Sequence, residues 1–483
     1  MASGLAVGYL VGRDIDPTLM LGGVLALVCG AVLVLNPKAG MLLLIFITFT
    51  RASESVPQIR SLPSLTTMIA AGLGLITIYR RMWFGERITG WQRPLLFLSW
   101  YGLLGLMSLL YAVDVGATTL ALTEFFKDAL VVFVVAILIR RANDFYYALW
   151  ALLAAGTFLG TLNVIQQLTG TQANPYFGFS QVIDASILTG EPGLRLVGPG
   201  MDPNSYAQYM LFLVPLAFER FLNENRRVLK LLALWALMAS LLAIIFTFSR
   251  SVFVALAVVL VVFFYYHPPR LAHVVLVVLV GLALLPVLPD QYTERMRTLV
   301  YLIPGISDRS DSLEDSVSQD ISFRGRLSEN IVGLQVSLDY PILGVGLDNF
   351  KAHYQDYSEH LGLDRRREGR SSHNLYLEIA AEFGFMGLLW LIALNVVAFR
   401  GLSEARQTFR QLGLYQYEGI ALAFAITLIG FLVGSIFRHM TYPRYVWLLY
   451  TLILILPHIA RLELRERLLE RRPLYHPEQE AFE

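Results

Sequence analysis

A chain of 483 residues that is 56% hydrophobic and only 16% charged is more apolar than an ordinary soluble domain, and its apolar residues fall in long runs. A formal net charge of +1 carries no overall electrostatic signature, so nucleic acid is not indicated as a partner and the basic residues must be read by position. The single cysteine, Cys29, lies inside an apolar run, cannot form an internal disulfide, and reads as a small core residue.

A helix that crosses a hydrocarbon core of about 30 Å needs roughly 17 to 25 residues. Runs of that character occur, in chain order, at 18–35, 64–79, 94–112, 125–139, 145–168, 203–222, 228–248, 251–266, 270–288, 376–399, 417–437 and 443–460. The stretches 2–12 and 39–50 are shorter and read as half-helices or one side of a hairpin, which gives roughly twelve to fourteen spans. The opening MASGLAVGYLVG lacks the basic region of a cleavable signal peptide, so the apolar segments that follow carry the targeting themselves.

Orientation follows from Lys and Arg in the short loops. With the tail RLELRERLLERRP inside, alternation gathers Arg80, Arg81, Arg140, Arg141, Arg226, Arg227, Lys230 and Arg400 on the cytoplasmic side, and leaves Arg51, Arg250, Arg438, Arg444 and few others outside. The long polar segment 289–372 is then extracytoplasmic and is exempt from the rule. It reads as a small, mostly helical cap, with a mobile loop at 307–319. The expected division is an N-terminal bundle at 1–288, a loop domain at 289–375, C-terminal membrane helices at 376–460 and a basic tail at 461–483.

Chemistry-bearing residues concentrate on the outer side. The loop 169–200 is rich in Gly, Pro and Asn, and Asp202-Pro203-Asn204-Ser205 after it reads as a turn feeding a helix. Arg195, Asp202 and Asn204 are candidates to line an outer site, with turn chemistry the other account of the last two. Arg250 stands where one span turns straight back into the next; it pairs with an anionic ligand or anchors the turn as an interfacial arginine. Arg324 and Arg326 flank Gly325, an arrangement that brings two guanidinium forks towards one phosphate and is also common on solvated surfaces. His373 follows the basic run that ends at Arg370; it is a titratable base or a packed, capping residue, and Asn374 beside it is a plausible cap. Lys127 and Asp128 lie within an apolar run one turn from Glu124, which points to a local ion pair. No HExxH or CxxC occurs, and neither a metal nor a cofactor is expected.

The ordered set FTFSRSVFVALAVVLVVF, an arginine pair heading YPILGVGLDNF, and HNLYLEIAAEFGFMGLLWLIAL resembles the O-antigen ligase and O-antigen polymerase superfamily, with VGPGMDPNSYAQYMLFLVPLAF similar to the helix that precedes them. The resemblance covers about 196–392. It implies an all-α polytopic membrane protein, a GT-C-like bundle of about a dozen helices with a periplasmic loop domain, in a bacterial inner membrane. It also implies inverting, metal-free transfer of a glycan from undecaprenyl diphosphate to a sugar hydroxyl of lipid A core or another glycan. By motif, Arg250, one of Arg324 and Arg326, and His373 are the implied catalytic residues. Arg195, Asp202, Asn204, Arg370, Asn374 and Tyr376 are the implied substrate contacts. Ligase, polymerase and protein O-glycosylation remain open, with a slight lean to ligase. A transporter or flippase would show inverted repeats, and none is evident.

Overall fold

The computed structural model describes residues 30, 35–55, 64–86, 88–184, 194–268, 321–363, 370–439 and 444–470. The expected spans 2–12 and 270–288, nearly all of 18–35, and the loop 307–319 lie outside them. The chain is an all-α polytopic membrane protein. Among the described residues, the helices of more than four residues are, in order, α1 Pro37–Thr50, α2 Leu65–Phe84, α3 Gln92–Ser108, α4 Val115–Leu138, α5 Ala142–Thr169, α6 Pro203–Asn223, α7 Arg227–Phe246, α8 Arg250–Tyr266, α9 Ile321–Asp339, α10 Phe350–His360, α11 Leu375–Gln411, α12 Tyr415–Gly434 and α13 Arg444–Glu470. Among the described residues, α5, α7, α11, α12 and α13 are the five long and apolar enough to cross a membrane, and α1 and α8 are shorter apolar helices.

The helix ends are set by local chemistry. Asn36 caps α1 through the Ala39 amide, with Pro37 following it, and Asp202 and Pro203 repeat the device at α6. One departure from all-helix structure is a hairpin in the loop 169–200: β1 Gln181–Asp184 pairs antiparallel with β2 Leu194–Val197, Val182 opposite Leu196. Two of the expected spans also run on past their apolar limits, α11 to Gln411 and α13 to Glu470. The first part of the basic tail is therefore a continuation of α13.

Packing in the bundle depends on small residues, because lipid supplies no hydrophobic drive to press helices together. Gly156 and Gly160, one turn apart on α5, face α6 and α7. A Cβ at Gly156 would sit 1.8 Å from Leu213 Cδ1, and one at Gly160 would sit 2.9 Å from the Ala239 carbonyl oxygen. On the other side, the buried ring of Tyr101 in α3 meets Phe125, Phe383, Trp390 and Trp447 at centroid distances of 5.0, 5.2, 5.1 and 5.1 Å, which joins α3, α4, α11 and α13.

Charged groups inside the bundle are paired. Lys127 bonds Glu124 at 2.7 Å, as the local spacing predicts, but Asp128 does not share that pair. Its buried carboxylate reaches Arg444 at the start of α13. A contact between residues 316 positions apart has no signature in local spacing. At the far end of α6, Arg220 is fully buried and takes both carboxylate oxygens of Glu219, at 2.6 and 2.7 Å. Glu224 stands 3.5 Å from Arg220 and accepts from the Tyr146 hydroxyl of α5 at 2.6 Å.

The segment after α9 and the helix α11 form one joint. Gly384 breaks α11 with φ 59 and ψ −149, a conformation open essentially only to glycine. The amides and carbonyls freed by the break are taken up by 341–346. Val345 N bonds Ala381 O at 2.9 Å, Gly346 N bonds Glu382 O at 2.9 Å, and Phe385 N bonds Pro341 O at 2.7 Å. No room is left for a side chain, since a Cβ on Gly384 would lie 2.5 Å from the carbonyl carbon of Ile342. Gly384→Ala is expected to cost about 2 to 3 kcal/mol from backbone strain alone. Thermal unfolding in detergent reads this directly, and an unchanged melting temperature would contradict the strained geometry.

Candidate active site

The site is assembled at the ends of α6, α9, α11 and α12. Arg324 and Arg326 lie in the opening turns of α9; Arg326 is half-buried, and the Arg324 side chain lies outside the described part. Between them, Gly325 gives passage to Arg370, whose Nη1 would be 2.4 Å from a Cβ at that position. Arg370 continues to Glu329 Oε1 at 3.3 Å. The other oxygen of Glu329 meets His373 Nδ1 at 2.6 Å. Glu329 is only 2% exposed, whereas the His373 side chain keeps 31% of its surface open. A small core holds α9 and α10 against α11: Val332, Val336, Val345, Phe350 and Tyr354 pack with Ala381.

His373 sits one residue before the cap of α11. Asn374 Oδ1 accepts from the Tyr376 and Leu377 amides at 3.0 and 3.3 Å, and the Ser372 hydroxyl accepts from the Asn374 amide at 3.3 Å. The Tyr376 hydroxyl donates to Leu432 O at 2.8 Å. Asn374 and Tyr376 thus fix the helix start and its seat on α12.

Beyond His373 lies the segment that follows α12. His439 stands edge-on to His373 with ring centroids 5.7 Å apart. Leu375 N bonds Arg438 O at 3.0 Å. The buried Arg438 guanidinium reaches Asp202 Oδ2 and also the Ser205 hydroxyl at 2.6 Å. Asp202 additionally accepts from the Ser205 hydroxyl at 2.6 Å and from the Asn204 and Ser205 amides at 3.0 and 3.2 Å. Burial alone would raise the Asp202 pKa, but Arg438 and the Ser205 hydroxyl and amide outweigh it and hold the carboxyl down at about 2. The opposite balance acts on His439. Its own burial, then Arg438 and the facing His373, press its pKa down to about 3 against the pull of Asp202. Among the described residues, its buried Nδ1 has no hydrogen-bond partner.

A third group of bonds ties in the turn before α8. Arg195, on β2, donates through Nε to Thr247 O at 2.7 Å and through Nη2 to Asn204 Oδ1 at 2.9 Å. The turn itself carries Phe248 at φ 52, and Arg250 opens α8 half-buried. On the loop-domain side, burial works against the Lys351 ammonium of α10. Asp348 at 3.0 Å, with Glu382 and Glu378 further off, raises its pKa nonetheless.

The structure therefore joins Arg370 and His373 through Glu329, and Arg195, Asp202 and Asn204 through their own bonds and Arg438. The two groups touch at the His373 and His439 rings. Arg195, Asp202, Asn204, Asn374 and Tyr376 each hydrogen-bond protein partners. Glu329, Arg438 and His439 belong to no motif legible in the sequence. The one available signal for Glu329 is its position a helical turn after Arg326. Arg438 enters the sequence only as an outside loop charge. Among the described residues, no group of three or more His, Cys, Asp and Glu side chains is placed to hold a metal ion.

A model of the family described as O-antigen ligase matches residues 235–392, from the middle of α7 into α11. That interval contains Arg250, Arg324, Arg326, Glu329, Arg370 and His373, and it stops short of Arg438 and His439. No curated protein matches the chain. The motifs stand in their order within the matched interval, helices long and apolar enough to cross a membrane flank it, and the match supports a likeness of this part of the chain to the O-antigen ligase superfamily.

Proposed function

We propose that this protein is an inverting membrane glycosyltransferase of the O-antigen ligase type. It moves a glycan from undecaprenyl diphosphate to an acceptor sugar, with lipid A core as the leading acceptor, on the periplasmic face of a bacterial inner membrane. The observation that carries this reading is the placement of His373, a partly open imidazole at the head of a membrane helix, on the same buried Glu329 that takes the Arg370 guanidinium. A base beside a fixed cation suits a reaction that takes a proton from one partner and leaves negative charge on the other.

In this reaction the acceptor hydroxyl oxygen attacks the anomeric carbon while its proton passes to His373. The bond from that carbon to the diphosphate oxygen breaks, and its electron pair leaves with the lipid diphosphate. One in-line displacement inverts the anomeric centre. Arg250 and one of Arg324 and Arg326 meet the growing charge on the diphosphate, and this neutralisation takes the part a metal plays elsewhere. Arg370 is the further substrate contact. Arg195, Asp202, Asn204, Asn374 and Tyr376 shape the cleft through the bonds described above. The bundle is of the GT-C-like kind, with residues 1–288 and 376–460 as the membrane part, 289–375 as the loop domain over its outer face and 461–483 as the inner tail.

Reconstitution tests the assignment. Purified protein receives an undecaprenyl-diphosphate-linked glycan, with and without lipid A core. Glycan transferred only when lipid A core is present is the expected result. Chain growth from donor alone would replace the ligase reading with a polymerase, transfer to a serine or threonine of a protein acceptor with an O-glycosylating enzyme. Movement of intact lipid-linked glycan across liposomes without any product would overturn the enzyme reading.

A further inference from the structure

We infer that Glu329 is the positioning residue for His373, and that it selects the nitrogen with which the imidazole acts; this rests on the base reading of His373. A carboxylate with 2% of its surface exposed needs donors for its oxygens, and two are in place: His373 Nδ1 at 2.6 Å on Oε2 and Arg370 Nη1 at 3.3 Å on Oε1. An ionised carboxylate only accepts hydrogen bonds, so the bond to His373 requires the proton to sit on Nδ1. The lone pair is then on Nε2, the nitrogen left for the hydroxyl proton of the acceptor. Once that proton is taken up, the imidazolium lies against a fixed negative charge.

The distance between the two groups is set by rigid elements. Glu329 lies within α9, and α9 is held on α11 by Val332 and Val336 against Ala381, with Gly333 close enough that a Cβ would lie 3.3 Å from Leu377 Cβ. His373 precedes the capped first turn of α11, itself pinned by Leu375 N to Arg438 O. Arg370 enters from the chain just before His373 and passes over Gly325, so the same carboxylate also orders the approach to the helix. The bland account is that Glu329 only anchors this approach. The two accounts part company over whether its effect on rate runs through the imidazole.

The experiment is a double-mutant cycle with Glu329→Gln, His373→Ala and both together. Transfer is followed in vitro from an undecaprenyl-diphosphate-linked oligosaccharide to lipid A core. Glu329→Gln keeps the size of the side chain and removes the charge; it is expected to lower kcat about 10²-fold or more while the KM for the donor stays within about twofold. In the His373→Ala background the same change is expected to alter the residual rate by less than about twofold. Glu329→Asp, which keeps the charge on a shorter arm, is expected to fall between wild type and Glu329→Gln, and it carries the test if the glutamine variant does not fold. Wild-type kcat in Glu329→Gln or Glu329→Asp overturns the inference, as does an undiminished penalty in the His373→Ala background, which is the mark of an anchor. Full transfer by His373→Ala removes the base reading and this inference together, whereas loss in His373→Ala with none in Glu329→Gln removes this inference alone.

Discussion

His373→Ala is expected to lower kcat for glycan transfer by about 10²- to 10⁴-fold, the usual contribution of a positioned general base. Binding of the lipid-linked donor should change little, because the groups proposed to meet the diphosphate are on α8 and α9 and not on the helix that His373 heads. His373→Gln, which preserves hydrogen bonding but carries no basic ring nitrogen, should fall as far as the alanine variant. Single-turnover transfer with excess enzyme separates the chemical step from product release. Near wild-type transfer by either variant would leave His373 as a binding or capping residue. The fold gives reason to expect intact protein in both cases: the cap of α11 is supplied by Asn374 and Ser372, and Leu375 is held by Arg438.

Arg220→Ala should have the largest effect on stability, a loss of about 3 to 5 kcal/mol, the range found when one partner of a buried ion pair is removed. Arg220 has no exposed side-chain surface, Glu219 retains 1% and Glu224 6%. Without the guanidinium, two carboxylates face each other in the bundle, Glu219 with Asn223 as a donor and Glu224 with Tyr146 and the Asn225 and Arg226 amides. Gly419 of α12 is also packed there, at 2.3 Å from Glu219 Oε1 for an added Cβ, so α12 leaves the carboxylates little room to swing away. The measurement is thermal unfolding in detergent, alongside a companion variant in which Glu219, Arg220 and Glu224 all become apolar. The companion should recover much of the loss, because an apolar set leaves no charge stranded. A small drop in the single variant, or an equal drop in both, would show that the cluster is solvated.

Much of this molecule is legible from the order of its residues. The apolar runs give the helices because a span needs a fixed length of greasy chain, and caps such as Asp202-Pro203 and Asn374 follow from side chains that bond the next amides. His373 and the arginines stand out because titratable groups are scarce in so apolar a sequence. Asp128 is different: its neighbours Lys127 and Glu124 suggest a local pair, and only the packing of α4 on α13 delivers Arg444. Glu329 is hidden for the same reason, since it meets His373 across 44 positions. Arg438 and His439 are likewise silent in the chain, and they gain meaning only where the end of α12 meets the start of α6. The hairpin in 181–197 escapes notice because its strands are four residues each, too short for alternation to register.

The break at Gly384 also bears on how this protein can be recombined with its relatives. Backbone bonds from 341–346 replace those α11 forgoes, so neither stretch keeps its shape without the other. A loop domain excised at 375, where the polar segment gives way to membrane helix, would leave half of that joint behind and import another half that was fitted elsewhere. The smallest transplantable cassette is therefore one that crosses into the membrane and carries everything from the start of α9 through Met386 as a single piece. Exchange of acceptor preference between related enzymes should succeed with that longer cassette and fail with the shorter one.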